Sequence, residues 1–335
     1  MSDRQTAVAT RSRPPTRTAA RRRKKAGGMW RRGWVIAMLA VLAAAVLMFH
    51  RSVPNSIGNL GSLVDTFLPW VGVAVPVLGV AALVRRSAIA GVALLLPTLL
   101  WGLMFGHLLL PGETAAGGAY DVRVLSHNVD AANPAPKQTA QELLAADADV
   151  VALEELTASD LKVYKASFAK TYPYAVIRDT VALWSKFPVV ETKSVDVGFA
   201  WTRALRAEVK TPKGTVAVYV AHLASVRVGT SGFTSDQRND TIKALGRQIA
   251  ADKSSGVIVM GDFNGTVNDR SLAPLTSGLR SAQGAAGTGF GFTWPAAFPM
   301  ARIDHILVRG ITPTKAWVMS STGSDHRPVV AELRL

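Results

Sequence analysis

Asp149-Val150-Val151-Ala152-Leu153-Glu154-Glu155 is a short apolar run with carboxylates at both ends. Its length and paired valines read as a core strand, and the two glutamates stand where that strand leaves the core. A core strand is a rigid platform. It holds the residue just past its end in one place, which a reaction centre requires.

The pattern recurs along the last two-thirds of the chain. The sequence predicts further strands at Val122–Leu125, Tyr174–Ile177, Val181–Trp184, Ala204–Val209, Val216–Ala221, Val257–Met260, Ile303–Val308, Thr314–Met319 and Val329–Leu333. Helical periodicity is rarer, at roughly Lys137–Ala146, Thr157–Ala169 and Thr234–Asp252. Strands dominate and do not alternate strictly with helices. That predicts an α+β or layered α/β sandwich, not a parallel sheet of βαβ units.

Polar residues gather at the ends of these runs. Ser126-His127-Asn128, Glu154-Glu155, His222 and Gly261-Asp262-Phe263-Asn264 each follow one. Arg302-Ile303-Asp304-His305 opens another, and Gly323-Ser324-Asp325-His326-Arg327-Pro328 precedes the last. Each alone is compatible with a turn, a solvated strand end or a hydrogen-bonded loop. Their joint occurrence in this order points to chemistry. Asn128, Glu155, Asp262, Asn264 and Asp325 offer hard oxygens, which suit Mg²⁺. The chain has no cysteine, so disulfides, thiolate metal sites and cysteine nucleophiles are excluded, and no His cluster has zinc spacing. Asp325-His326, with Asp304 available in space, suits an imidazole held in one tautomer by a carboxylate.

The net charge of +15 is unevenly placed. Residues 1–119 carry 14 Lys/Arg against three acids, whereas residues 120–335 carry 24 against 20. The basicity is therefore poor evidence for a nucleic-acid surface on the downstream part. Residues 1–32, with Arg21-Arg22-Arg23-Lys24-Lys25, read as a disordered cytoplasmic tail. Three uncharged apolar stretches follow within 33–110, at Gly33–His50, Phe67–Val84 and Ser87–Leu110, each of roughly the length that crosses a ~30 Å hydrocarbon layer, the first two only just. Eleven basic residues precede the first stretch, and Arg85-Arg86 separate the last two. The positive-inside rule then puts the tail and Arg85-Arg86 in the cytoplasm and everything after Leu110 outside it. A cleaved signal peptide with two buried helices is the alternative, and it lacks a convincing small-residue cleavage site before Arg51. Residues 111–119 read as a small-residue linker. His107 reads as interfacial.

Leu125-Ser126-His127-Asn128, the 149–155 run, Ala221-His222-Leu223, Gly261-Asp262-Phe263-Asn264, Arg302-Ile303-Asp304-His305 and Gly323-Ser324-Asp325-His326-Arg327-Pro328 stand in a familiar order. Residues 120–335 resemble the endonuclease/exonuclease/phosphatase superfamily, which includes deoxyribonuclease I, abasic-site endonucleases, neutral sphingomyelinases and inositol polyphosphate 5-phosphatases. The resemblance implies a four-layer α/β sandwich, two mixed sheets with helices outside. It implies Mg²⁺, or Mn²⁺, on Glu155, with Asn128 and Asp325 beside it. It implies that Asp262 and Asn264 orient the nucleophile and contact the phosphate, that His222 contacts the phosphate, and that Asp304 orients the catalytic His326. Glu154 replaces the usual Gln, a departure expected to be tolerated. His305 replaces a common Tyr and is assigned packing only. The strand end at His222 departs from abasic-site endonucleases and disfavours that activity.

The expected function is metal-dependent hydrolysis of phosphate esters, phosphodiesters first, by a membrane-anchored enzyme with an extracytoplasmic domain. A lipid phosphodiesterase, a phosphomonoesterase and a non-catalytic phosphate-binding membrane protein stay open. The expected partners are a nucleic-acid or lipid-headgroup phosphate ester and the membrane, with no obligate protein partner evident. Phe290, Phe292 and Trp294, in a Gly-rich loop, suit base stacking, a lipid interface or plain packing.

Overall fold

The computed structural model describes residues 33–110, 119–230 and 232–335. The expected tail at 1–32 and all but the last residue of the expected linker lie outside the described residues.

Four α-helices open the described chain: α1 (Trp34–Phe49), α2 (Leu60–Phe67), α3 (Ala74–Val84) and α4 (Ala88–Phe105). With their 3-10 turns they make three segments, Trp34–Ser52, Leu60–Val84 and Ala88–Leu109, each long and apolar enough to cross a membrane. Met38, Leu42, Val77, Leu83, Leu95 and Leu103 are all exposed along them, an apolar surface of the kind that meets a membrane or a protein partner. The middle segment differs from expectation. Its helix starts at Leu60, ahead of the expected stretch at Phe67–Val84, and a 3-10 turn at Leu68–Val73 breaks it. The reason is tertiary: Ser62 donates to Asp269 Oδ1 (2.9 Å) and Asp65 accepts from Arg270, so this turn is docked rather than solvated.

The helix ends divide into two groups. The end of α1, the start of α2 and the end of α4 meet the downstream domain. There Arg270 donates to His50 O and Arg51 O, Asn59 donates to Asp236, and Gly289 N donates to Leu108 O. At the other end Gly33 lies so close to Ser87 that a Cβ would overlap its side chain.

The downstream domain contains β1 (Val122–Asn128), α5 (Pro136–Ala145), β2 (Val150–Glu154), α6 (Ala158–Phe168), β3 (Tyr174–Arg178), β4 (Val181–Ser185), β5 (Val189–Ser194), β6 (Ala204–Thr211) and β7 (Gly214–Ala221). Then come β8 (Val228–Gly229), β9 (Gly232–Phe233), α7 (Asp236–Ala251), β10 (Val257–Asp262), α8 (Ala273–Thr276), β11 (Arg280–Ser281), α9 (Ala282–Ala286), β12 (Asp304–Arg309), β13 (Thr312–Val318) and β14 (Val329–Arg334). All the expected strands and helices are present. The sequence missed β5, an edge strand whose Glu191 to Ser194 are all exposed and so carry no apolar run.

Two six-stranded mixed sheets run β13-β14-β1-β2-β4-β3 and β11-β12-β10-β7-β6-β5. Val124, Val150 and Leu183 of the first meet Leu205, Val218, Ile258 and Ile306 of the second in the central core. The outer face of the first sheet is covered by α5 and α6, where Leu143, Tyr164 and Phe168 pack on Leu153 and Trp184. Ile242, Leu245 and Ile249 of α7 cover Tyr219, Val257 and Val259 of the second. This is the expected four-layer sandwich. Because both faces of each sheet are buried, its strands read as continuous apolar runs and not as alternating ones.

Candidate active site

Strand direction brings the motifs to one edge. β1 and β2 are parallel and end together at Asn128 and Glu154; β7 and β10 are parallel and end near His222 and Asp262. β12 and β14 run antiparallel to β10 and β1, so their starts lie at the same edge, and Asp304 pairs directly with Asp262. Gly261 permits this. A Cβ there would overlap the carbonyl of Ala221, and its φ is +141°. Glu155 (φ +59°) and Asn264 (φ +47°) both leave their strands in the left-handed region. Non-glycine residues are uncommon there and cluster at functional sites.

Seven of the eight expected residues form one hydrogen-bonded or closely packed group. Asn128 Nδ2 donates to Glu155 Oε1 (3.0 Å) and to Asp262 Oδ2 (3.1 Å). Asn264 donates to Asp262 from both its backbone N (2.8 Å) and Nδ2 (3.1 Å). His222 Nε2 lies 3.4 Å from Glu155 Oε1 and 3.7 Å from Asp262 Oδ2, hydrogen-bonded to neither. His326 Nδ1 contacts both oxygens of Asp304, at 3.0 and 2.9 Å, and its Nε2 stands 3.8 Å from Asp262 Oδ2. Asp325 is at the rim: its half-exposed carboxylate accepts from Trp294 Nε1 (3.1 Å) and lies 3.8 Å from His326 Nε2.

The donor set could hold a divalent cation. Glu155, His222 and Asp262 each offer a ligand atom within 4.8 Å of the others, and the buried Nε2 of His222 is left without a partner. Asn128 turns its amide N–H, not its oxygen, toward the carboxylates, since Oδ1 accepts from Asp130 N (3.0 Å). In this arrangement it bridges the acids. Asp325 is not grouped with Glu155.

Burial and charge set the protonation states. Burial works against a charge on His326, but Asp304 and then Asp262 outweigh it and push the imidazole up to about 10. Burial likewise opposes ionisation of Asp304, and His326 more than offsets it, holding this carboxyl below its ordinary value. Burial, reinforced by Asp304, raises Asp262 to about 7 despite the pull of His326. Burial, with repulsion from Arg203 and His326, holds His222 well below its ordinary value, so that ring is neutral. Glu154 is fully buried beneath the site, where burial and then the charges of Asp304 and Asp262 keep its carboxyl protonated. A neutral Glu154 accepting from Ser126 Oγ (3.2 Å) has the shape and charge of Gln.

Arg203 and Thr293 carry no signal in the linear sequence, and Ser324 gains its role only from the fold. Arg203 donates to the carbonyls of His222 (3.0 Å) and Leu223 (3.2 Å). Ser324 Oγ donates to Asn128 O (2.7 Å) and accepts from His326 N (3.0 Å), tying the last motif to the first. Thr293 Oγ1 accepts from the backbone N of Ile303 (3.2 Å) at the Asp304 turn. His305 is buried, stacked on Phe263 and bonded to Gly265 O. Phe290 and Phe292 are packing residues, stacked on each other; Phe292 also stacks on Trp70, and Phe290 meets Trp101 at a tilt. The site opens into a cavity of about 590 Å³, one wall of which is Thr66 and Phe67 of α2.

The sequence model of the Endonuclease/Exonuclease/phosphatase family matches residues 125–326. No curated protein matches the chain. Among solved structures, D. rerio TDP2 humanized by 14 mutations is 20% identical and covers 64% of this chain and 99% of its own, with a TM-score of 0.54. Staphylococcus aureus beta toxin is 15% identical, covering 63% and 99% at a TM-score of 0.51. Bacteroides thetaiotaomicron mannosyl-6-phosphatase is 19% identical, covering 64% and 100%, also at 0.51. At such identities the likeness establishes the fold.

Proposed function

The chain belongs to the Endonuclease/Exonuclease/phosphatase family, and from that premise we propose that it is a membrane-anchored, divalent-metal-dependent phosphodiester hydrolase with its catalytic domain outside the cytoplasm. Hydrolysis of phosphate esters is the chemistry of the family. The observation that carries the reading is the convergence of Glu155, Asp262, Asn264 and His326 on one cavity, with His222 and Asp304 packed against them from behind.

Glu155, with Asp262 and His222 beside it, would hold Mg²⁺ or Mn²⁺, which when bound supplies a Lewis acid for a phosphoryl oxygen. Asp262 positions the attacking water and takes its proton at a carboxylate oxygen; as the water oxygen bonds to phosphorus, the P–O bond to the alcohol breaks and the leaving alkoxide takes a proton from solvent. Asp262 is buried against Asp304 and His326, where it can accept that proton. Asn128 and Asn264 fix that carboxylate by donating to it. His326 is kept cationic by Asp304 and donates from Nε2 to a non-bridging oxygen as negative charge develops. This division of labour assigns the base to Asp262 and the charge-stabilising role to His326.

The two groups of helix ends support the membrane reading. Gly33 and Ser87, next to Arg85-Arg86, lie together at the end away from the catalytic domain, as the positive-inside rule requires. Thr66 and Phe67 favour a second reading of the substrate, a phosphodiester in a lipid headgroup rather than in a nucleic acid. An apolar helix of membrane-crossing length walls the reaction cavity.

The test uses the full chain, chelator and then Mg²⁺, wild type beside His326→Ala. Substrates are bis-p-nitrophenyl phosphate, p-nitrophenyl phosphate, single-stranded DNA and phospholipid vesicles. We expect diester turnover that chelator abolishes and Mg²⁺ restores, reduced about 10²–10⁴-fold in His326→Ala. Activity surviving both treatments would sink the mechanism. Faster turnover of the monoester would sink the diester assignment.

A further inference from the structure

Arg302 is only 7% exposed, and among the described residues its guanidinium makes no hydrogen bond and no ion pair; Nη1 is enclosed without a partner. Arginine cannot shed its charge, and a buried charge without a counter-ion is strongly unfavourable. The group therefore calls for an anion. One void beside it holds about 10 Å³, room for no more than a water. The other is a cavity of about 150 Å³ between the apolar helices and the sandwich.

The walls of this second cavity identify its occupant. Thr66, Asn268 and Ser281 bring polar groups to it, while Met104, Phe105 and Leu108 close it at the end of α4. A helix of membrane-crossing length ends at the depth of the lipid headgroups. Pro69, Phe290 and Phe292 are shared with an adjoining apolar groove of about 500 Å³, lined further by Trp70, Val73 and Trp101. An anion site at headgroup depth thus continues into an apolar groove among membrane helices. Catalysis uses a different cavity: Ile303 faces that one, Arg302 this one.

We propose that Arg302 and Asn268 bind the phosphate of an anionic membrane phospholipid whose acyl chain lies in the groove beside Trp70 and Trp101. The bound lipid fixes the catalytic domain on its helices, because its two parts would touch both. The inference rests on the membrane placement proposed above and not on the catalytic assignment.

The experiment reads thermal unfolding of the full chain in nanodiscs of phosphatidylcholine, with and without phosphatidylglycerol. Phosphatidylglycerol should raise the melting temperature, and inorganic phosphate added to phosphatidylcholine discs should not. Arg302→Gln should lose the rise. Asn268→Asp leaves the arginine in place and puts a carboxylate into the same cavity; it should melt alike in both discs. Equal melting of the wild type in both compositions, or a full phosphatidylglycerol effect in Asn268→Asp, would overturn the proposal. A phosphate effect as large as the lipid effect would overturn the lipid source. Carbonate washing of membranes tests the placement separately: a chain released by it would refute the spans, whatever the discs show.

Discussion

Arg270 donates from Nε to Oδ2 of Asp65 at 2.7 Å and from Nη2 to Oδ1 at 3.1 Å, so one guanidinium of the sandwich grips a buried carboxylate of α2. The same group donates to His50 O, Arg51 O and Val53 O at the end of the first apolar segment. Arg270 thereby joins two helical segments to the catalytic domain. Removing it leaves Asp65 buried without its principal partner. Arg270→Ala should destabilise the full chain by about 3–5 kcal/mol, the usual cost of breaking a buried pair from one side. Arg270→Lys should recover only part, since an ammonium cannot reproduce the fork. Denaturant unfolding in detergent measures both, and a loss below about 1 kcal/mol would mean the pair is effectively solvated.

On the proposed mechanism, the Asp304–His326 pair should set the alkaline side of the activity profile. His326 is pushed up to about 10, so it stays cationic through neutral pH and loses its proton only as pH rises through that value. Turnover that needs the cation should fall along the same limb. Asp304→Asn removes the main source of the elevation. Its alkaline limb should move to lower pH, with the rate at neutral pH also reduced. A pH–rate profile of the variant superimposing on that of the wild type would show that Asp304 has no such role.

Glu154 offers a test of a different sign. Its folded-state pKa lies well above the ordinary 4.5 because of burial. Folding is therefore unpenalised below about pH 4.5, where both states are protonated, and is penalised above it as the unfolded chain ionises. Glu154→Gln removes that penalty. The variant should match wild type in stability at low pH and exceed it increasingly as pH rises toward the folded-state value, with catalysis retained. Thermal unfolding across pH, in chelator so that no cation alters the charge balance, decides it. A variant less stable than wild type at neutral pH would show that Glu154 is ionised in the fold.

Residues 120–335 alone should be a poor surrogate for the whole chain. Cutting away the helices uncovers Phe290 and Phe292, which pack on Trp101 and Trp70, and removes Thr66 and Phe67 from the reaction cavity. The truncated domain should aggregate more readily and show a raised KM with a smaller loss in kcat. Side-by-side kinetics on one soluble diester test this, and identical constants would detach the helices from the site.

The chain has no cysteine, which makes topology directly readable. Lys213→Cys lies on the exposed turn between β6 and β7, and Val84→Cys lies at the exposed end of α3. A membrane-impermeant maleimide applied to intact cells should label the first and spare the second until the cells are opened. The reverse pattern would invert the orientation.

The sequence by itself determined the layers and the chemical cast. Strands buried on both faces must be continuously apolar, so Val150–Leu153 and Val257–Met260 announced themselves, and the acids and imidazoles at their ends stood out by contrast. It also determined that three segments are apolar enough to span a membrane, since that depends on composition and length alone. Tertiary structure decided what lies opposite what. No local pattern could show that Asn128 would turn its N–H toward Asp262, that Asp325 would sit at the rim beside Trp294, or that Glu154 would be buried deeply enough to stay protonated. Nor could it show that the segment expected as a loop before Thr66 would become helix, because Ser62 and Asp65 find their partners at Asp269 and Arg270, some two hundred residues away. Periodicity is a property of neighbours in the chain. Charge state, burial and docking depend on partners that only the folded chain brings together.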